Sequence, residues 1–128
     1  MTPTITATYA AILAVFYIAL SFHVSITRGK TGVRLGDGGN PAMLAAMRRH
    51  GNMAEFVPFA LVLMALAELT GLAAPWLHAA GAVLIAARLV HLFGIAETGG
   101  SCPARVAGTL ATYGAMLIPA AAILWSAI

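Results

Sequence analysis

Long apolar runs, separated by charged, glycine-containing or proline-containing segments, set the pattern of this chain. Residues 4–26 and residues 106–128 contain no Asp, Glu, Lys or Arg. At about 1.5 Å per residue, a helix of either run crosses the roughly 30 Å of hydrocarbon in a bilayer. With the two apolar runs between them, the pattern predicts four membrane-spanning helices at about 4–27, 41–70, 75–95 and 103–126.

The composition excludes a soluble protein. Of the 128 residues, 61% are hydrophobic and 9% are charged, whereas about 25% of the residues in a soluble domain are charged. We therefore expect an all-α integral membrane protein in which residues 1–128 form a single four-helix bundle domain.

The charged residues predict the orientation in the membrane. Four antiparallel spans place the loop after helix one and the loop after helix three on the same side. All seven basic residues lie in or near that half of the bundle: Arg28, Lys30, Arg34, Arg48, Arg49, Arg88 and Arg105. Because cytoplasmic loops are enriched in Lys and Arg, these two loops are predicted to be cytoplasmic and both termini to lie outside.

Several functions are excluded by residue type and position. The net charge is +3, but the basic residues are few, interrupted and placed at helix ends, so no nucleic-acid partner is expected. Cys102 is the single cysteine of the chain, so an intrachain disulfide is excluded. The histidines at positions 23, 50 and 78 are scattered, so no metal site is expected.

The candidate binding residues of helix two lie on one polar face. At about 100° per residue, Arg48, Asn52 and Glu55 fall within one narrow arc of the helix. A charge at bilayer depth costs at least about 2.5–3.5 kcal/mol, so these side chains need polar partners. The alternation of spans brings seven polar residues to one membrane depth: Arg28, Arg48, Asn52, Glu55, Arg88, His91 and Arg105.

This mostly cationic cluster suits a ligand that carries carboxylates, an ammonium group and a thiol. Arginine offers five donors in a rigid fork suited to carboxylates, and positive charge stabilises a thiolate. Glu55 can receive the ammonium group or pair with Arg88 across the helices. The alternative is a structural ion-pair network without a ligand, in which Arg105 extends to the membrane surface, His91 is an interior histidine and Arg28 is a topology signal.

The segment Arg48-x-x-x-Asn52-x-x-Glu55-x-x-Pro58 resembles the signature of the MAPEG family, membrane-associated proteins in eicosanoid and glutathione metabolism. The number of spans, the Gly-Asp-Gly-Gly-Asn-Pro loop, Arg88-x-x-His91 and Arg105 also fit. The resemblance covers nearly the whole chain and is strongest to bacterial members, which implies a bacterial inner membrane.

The resemblance implies a homotrimer of four-helix protomers, with glutathione held between neighbouring subunits near the cytoplasmic face. Arg105 matches the catalytic arginine that stabilises the glutathione thiolate. The other matching positions imply glutathione binding: Arg48, Asn52, Glu55, His91, Arg28 and Arg88. The expected activity is transfer of glutathione to a lipophilic electrophile, or reduction of a lipid hydroperoxide.

Four positions depart from the eicosanoid-forming members. Ile95 and Phe56 replace tyrosines, Val106 replaces a serine beside the arginine, and Gly51 replaces an arginine before Asn52. An eicosanoid substrate is therefore not supported.

Two alternatives stay open: a non-catalytic membrane scaffold of the same fold, and a small proton-coupled exporter. The exporter requires a buried acid, for which Glu68 is the one candidate, and we expect Glu68 to pair with His78.

Overall fold

The computed structural model describes residues 2–95, 102–126 and 128 and contains four α-helices. They are α1 (Thr4–Thr31), α2 (Pro41–Leu69), α3 (Ala74–Phe93) and α4 (Pro103–Ser126). All four are long and apolar enough to cross a membrane. The predicted all-α, four-helix class is confirmed. Helix α1 continues to Thr31, beyond the predicted end at 27, and the assignment of residues 1–128 to a single domain stays a prediction.

Capping residues determine where the loop between α1 and α2 begins and ends. Helix α1 is capped at its C-terminal end by Gly32, whose φ of +71° lies in the left-handed region that glycine adopts without strain. The N–H of Gly32 donates to the carbonyl of Arg28 at 2.9 Å. Helix α2 begins at Pro41, and the side chain of Asn40 accepts a hydrogen bond from Met43 N at 3.1 Å. This is the Asn-Pro start that the sequence predicts.

The first turn of α1 is capped by a side chain from α2. Glu68 accepts hydrogen bonds from the backbone N–H of Ile5 at 2.9 Å and of Thr6 at 2.8 Å, one on each carboxylate oxygen. The first N–H groups of a helix have no partner within the helix, and its N-terminus favours negative charge. The predicted Glu68–His78 pair is therefore wrong, because the carboxylate serves α1. The hydroxyl of Tyr9 lies 3.2 Å from His78 Nδ1 and 3.1 Å from the carbonyl oxygen of His78.

Helices α2 and α3 form the centre of the packing. Each contacts the other three helices, while α1 and α4 do not touch each other within the described residues. The core is built from small and medium apolar side chains: Leu13, Met53, Val57, Ala60, Met64, Ala80, Leu84 and Ala115. Gly81 permits a close α1–α3 contact, because a Cβ there would lie 2.5 Å from the ring of Tyr9. Such small residues are typical of helix contacts in membranes.

Most of the outward surface is apolar. Val15, Phe22, Leu117 and Trp125 are each more than half exposed, as expected for side chains that face lipid. Helix α1 is the most outward-facing of the four. Against this background, the polar side chains at the α2–α3–α4 contact stand out and define the candidate site.

Candidate functional site

A buried arginine joins three helices. Arg88 on α3 is 3% exposed, and it donates to the side-chain oxygen of Asn52 on α2 and to the hydroxyl of Thr112 on α4. It also donates to the carbonyl oxygen of Gly108 at 3.2 Å. Its guanidinium lies 5.4 Å from the centre of the Phe56 ring, within the range of a cation–π contact. We call Arg88, Asn52, Thr112 and Gly108 the Arg88 network.

Close contact between α3 and α4 makes this network possible. A Cβ on Gly108 would lie 2.7 Å from the carbonyl oxygen of Ala87 and 2.8 Å from Cβ of His91. Any residue larger than glycine at 108 would therefore push the two helices apart. The hydroxyl of Thr112 also donates to the Gly108 carbonyl at 2.8 Å, which orients its oxygen toward Arg88.

The charge of Arg88 has no counter-ion among the described residues. Its acceptors are an amide oxygen, a hydroxyl and a carbonyl, all neutral. The predicted Arg88–Glu55 pair is wrong, because Asn52, one turn before Glu55 on α2, takes the position beside Arg88. A buried cation that is held by neutral groups alone is costly, so a negative partner from outside the protomer is favourable.

Glu55 lies beside Arg48 and not beside Arg88. The Arg48 Nη1–Glu55 Oε1 distance is 3.9 Å, and the two side chains are 59% and 54% exposed. An ion pair of this length between exposed groups is weak. Both side chains therefore keep most of their donor and acceptor capacity, and they present a cation and an anion side by side on the surface of α2.

His91 and Arg105 flank the network at the end of α3 and the start of α4. His91 is buried at the contact with Gly108. Arg105 is half-buried in the first turn of α4, where its N–H donates to the carbonyl of Cys102 at 2.9 Å. The structure thus brings five of the predicted site residues to adjoining turns of α2, α3 and α4, namely Asn52, Glu55, Arg88, His91 and Arg105, with Arg48 one turn before Asn52 on α2.

Arg28 is used differently from the other predicted site residues. It donates to the carbonyls of Val33 at 3.2 Å and Gly36 at 3.0 Å, and it approaches Met47 Sδ at 3.7 Å. These contacts fasten the loop between α1 and α2 onto the start of α2. The structure does not bring Arg28 into the Arg88 network, and a role for it in ligand binding stays a prediction.

Sequence reasoning missed two functions in this region. Thr112 accepts a hydrogen bond from Arg88, a role that follows only from the packing of α3 on α4. Arg49 donates to the carbonyl of Ile95 at 2.5 Å, and nothing in the local sequence pattern indicates this contact.

An open apolar groove begins beside the network. It has a volume of about 420 Å³, lies between α2 and α4, and is lined by Phe59, Leu63, Tyr113, Met116, Leu117 and Ala120. The groove meets the Arg88 network at Tyr113, because the Tyr113 ring lies 5.9 Å from the Phe56 ring that contacts Arg88. Among the described residues, no group of three or more His, Cys, Asp or Glu side chains could hold a metal ion.

Comparison with known proteins identifies the class of this fold. The model of the MAPEG family matches residues 6–125, so the chain belongs to the MAPEG family. This family of membrane proteins includes glutathione transferases and peroxidases.

Two relatives come from one bacterial species. The inner membrane protein YecN of Escherichia coli K12 is 36% identical over 121 residues, which cover 94% of this chain and 91% of the relative. The YecN protein of Escherichia coli O6:H1 gives the same values. A search of solved structures found no match. With its four apolar helices, the chain is a multi-pass protein of a bacterial inner membrane.

Proposed function

We propose that this protein binds glutathione at the Arg88 network and uses its thiolate against lipophilic electrophiles or lipid hydroperoxides. The observation that carries the proposal is the buried, uncompensated charge of Arg88 beside Asn52, with the weakly paired Arg48 and Glu55 on the same helix. A purely structural network would place an acid on Arg88, whereas Glu55, one turn after Asn52 on α2, pairs with Arg48.

Glutathione complements this arrangement group by group. It carries two carboxylates, an α-ammonium group and a thiol. Arg48 and Arg88 supply cations for the carboxylates, and Glu55 supplies an anion for the ammonium group. Asn52 contributes an amide that can both donate and accept, and His91 contributes a ring nitrogen.

Arg105 is the candidate for thiolate stabilisation. Arg105 lies in the first turn of α4, at the same end of the bundle as Arg48 and Asn52. A fixed positive charge beside the sulfur favours the thiolate, which is the reactive nucleophile. In conjugation, the thiolate forms a carbon–sulfur bond as the leaving group departs with the bonding electrons. In peroxide reduction, the sulfur attacks the terminal peroxide oxygen and the O–O bond breaks, which gives a glutathione sulfenic acid and an alkoxide that is protonated to the lipid alcohol. A second glutathione then forms the disulfide with release of water.

The α2–α4 groove is the proposed entry for the lipophilic co-substrate. It is open to the apolar surface of the bundle, and it meets the polar network at Tyr113 and Phe56. A molecule dissolved in the bilayer can therefore reach the thiolate without crossing water. This favours hydrophobic electrophiles and hydroperoxides over soluble ones.

A homotrimer is part of the proposal. Arg48 and Glu55 are more than half exposed at membrane depth in one protomer, where lipid is an unfavourable neighbour for charge. A neighbouring copy and the ligand together would cover them. By the distribution of basic residues, the site faces the cytoplasm and both termini lie outside.

The test is titration calorimetry of the detergent-purified protein with glutathione. We expect binding by the native protein and a loss of about tenfold or more in affinity for Arg48→Ala, because a charge-assisted hydrogen bond contributes about 1.5–3 kcal/mol. Arg34→Ala, an equal change of charge in the exposed loop after α1, is the control and should bind normally. Absence of binding by the native protein would refute the proposal, and equal affinity in Arg48→Ala would refute the site.

Turnover is tested separately, with an aryl halide and a fatty-acid hydroperoxide as co-substrates. Arg105→Ala should retain much of the glutathione affinity and lose activity. Binding without turnover of either co-substrate would identify a non-catalytic scaffold of this family. No observation favours an exporter built on Glu68, since both of its carboxylate oxygens are bound by α1.

A further inference from the structure

Arg49 connects α2 to the end of α3. Its terminal Nη2 donates to the carbonyl oxygen of Ile95 at 2.5 Å, across 46 positions of sequence. Ile95 is 7% exposed and directly follows Gly94, the C-terminal cap of α3. The carbonyl of a residue just beyond a helix end has no partner within that helix, and a basic side chain is well suited to satisfy it.

Gly94 in turn contacts the start of α4. Its φ of −77° is ordinary helical backbone, so conformation alone does not require glycine here. Glycine is required at this position by the lack of space, because a Cβ on Gly94 would lie 2.7 Å from Cα of Arg105 and 2.9 Å from its Cβ. Because those atoms belong to a helix backbone, they cannot move aside as a flexible side chain does.

We propose that Arg49 is a positioning residue for Arg105, acting through Ile95 and Gly94. The Arg49–Ile95 hydrogen bond, the peptide bond between Ile95 and Gly94, and the Gly94–Arg105 contact form a continuous path from α2 to the first turn of α4. The path fixes the end of α3 against α2, and the end of α3 then fixes the backbone from which the Arg105 guanidinium extends. This inference rests on the proposed function for the role of Arg105, but the contact path itself is independent of any ligand.

The path matters because a displaced catalytic group loses much of its effect. A misplacement of about 1 Å can cost on the order of a hundredfold in rate. Without Arg49, the described hydrogen bond that still joins α3 to α2 is the one from Arg88 to Asn52, which lies before the end of α3 and does not hold Gly94 and Ile95 directly. The alternative is that Arg49 is merely one of the basic residues that orient the protein in the membrane.

The single cysteine of the chain is a built-in reporter for the path. Cys102 is half-buried, and its carbonyl accepts from Arg105 N at 2.9 Å and from Val106 N at 3.3 Å. We would compare the rate of Cys102 alkylation by a maleimide in native protein, Arg49→Met and Arg34→Met. Methionine keeps an unbranched stem and removes the donor. Arg34→Met removes the same charge from an exposed loop position.

We expect alkylation to be faster by about tenfold in Arg49→Met, from the loss of a charge-assisted hydrogen bond. Arg34→Met should react at the native rate. Arg49→Lys, which keeps the charge and one donor, should be intermediate. Gly94→Ala should also accelerate alkylation, since it displaces the same turn from the other side.

A second measurement separates positioning from general stability. In Arg49→Met, the absorbance of bound glutathione thiolate should appear only at higher pH, and kcat should fall about tenfold with little change in KM for glutathione. In an Arg105→Ala background, Arg49→Met should have no further effect on either quantity. Additive effects in the double variant would overturn the proposal.

The failures are distinguishable. If native protein forms no glutathione thiolate, the proposed function fails, while the alkylation rates still test the Arg49–Ile95–Gly94–Arg105 path. If thiolate forms and Arg49→Met behaves like Arg34→Met in both measurements, the positioning role fails and the proposed function stands.

Discussion

The two ends of this helix bundle treat their polar groups in opposite ways. Where α1 begins, Glu68 binds the N–H groups of Ile5 and Thr6, and Tyr9 binds His78. The carboxylate is paired with two donors, and the phenol with an imidazole and a carbonyl. Where α4 begins, Arg88 is buried among neutral acceptors, and Arg48 and Glu55 face outward as an exposed pair whose charged atoms are 3.9 Å apart.

The contrast separates polar groups that stabilise the fold from polar groups that form a binding site. In a membrane, a polar group that serves only the fold should find its partners within the fold, because lipid offers none. The α1 end meets that requirement at Glu68. The α4 end leaves net positive charge without a partner, which is expected of a site that completes itself with an anionic ligand. Four sets of substitutions, ordered by the size of their expected effect, test the contrast.

Two acids on α2 give the largest difference. Glu68→Ala removes both hydrogen bonds that cap the N-terminus of α1. It should lower the free energy of unfolding by about 2–3 kcal/mol, since hydrogen bonds to charged groups contribute about 1.5–3 kcal/mol. Glutathione affinity should be unchanged. Glu55→Ala should have the reverse phenotype, native stability and weakened glutathione binding, because its ion pair is exposed and weak. Unfolding in detergent and calorimetry measure the two quantities. Equal phenotypes in the two variants would remove the contrast.

Glycines in α4 test the close packing beneath the Arg88 network. Gly108→Ala places a Cβ 2.7 Å from the Ala87 carbonyl oxygen and should destabilise the fold by about 1–3 kcal/mol while weakening glutathione binding. Gly114 is the matched control on the same helix, because a Cβ there meets nothing within 4 Å. Gly114→Ala should be neutral or slightly stabilising. Thermal unfolding of both variants decides the point, and a tolerated Gly108→Ala would contradict the packing described here.

Threonines in α4 test whether Arg88 needs its side-chain acceptor. Thr112→Val keeps the shape and removes an oxygen that accepts from Arg88, so we expect a loss of about 1 kcal/mol in stability and a weaker response to glutathione. Thr109→Val is the control, because its hydroxyl bonds only the Arg105 carbonyl of its own helix. Unfolding is measured with and without glutathione. If the two variants behave alike, Thr112 has no special relation to Arg88.

The smallest effect is expected at the α1 end. Tyr9→Phe removes the hydroxyl that contacts His78 and should cost about 0.6 kcal/mol, the average for a hydrogen bond inside a membrane protein. Glutathione affinity and turnover should equal those of the native protein. A change in turnover in Tyr9→Phe would show that the two ends of the bundle are coupled.

Hydropathy and residue spacing were enough to predict the helices. Apolar runs of sufficient length predicted four spans, and Asn40-Pro41 predicted where α2 begins, because capping depends on residues close in sequence. The positions of Arg48, Asn52 and Glu55 on one face followed from helical periodicity alone. The pairing of the side chains did not follow, since Arg88 contacts Asn52 and not Glu55, and Glu68 contacts α1 and not His78.

The sequence by itself determined the number of spans, the depth at which the polar residues gather, and the family likeness, because these depend on composition and local periodicity. The tertiary structure alone decided which polar groups satisfy one another. That choice depends on how closely α3 approaches α4 at Gly108 and Gly94, and on the rotation of each helix about its axis. Residues such as Arg49 and Ile95 meet only because four helices pack at those distances, and no pattern within a single helix contains that information.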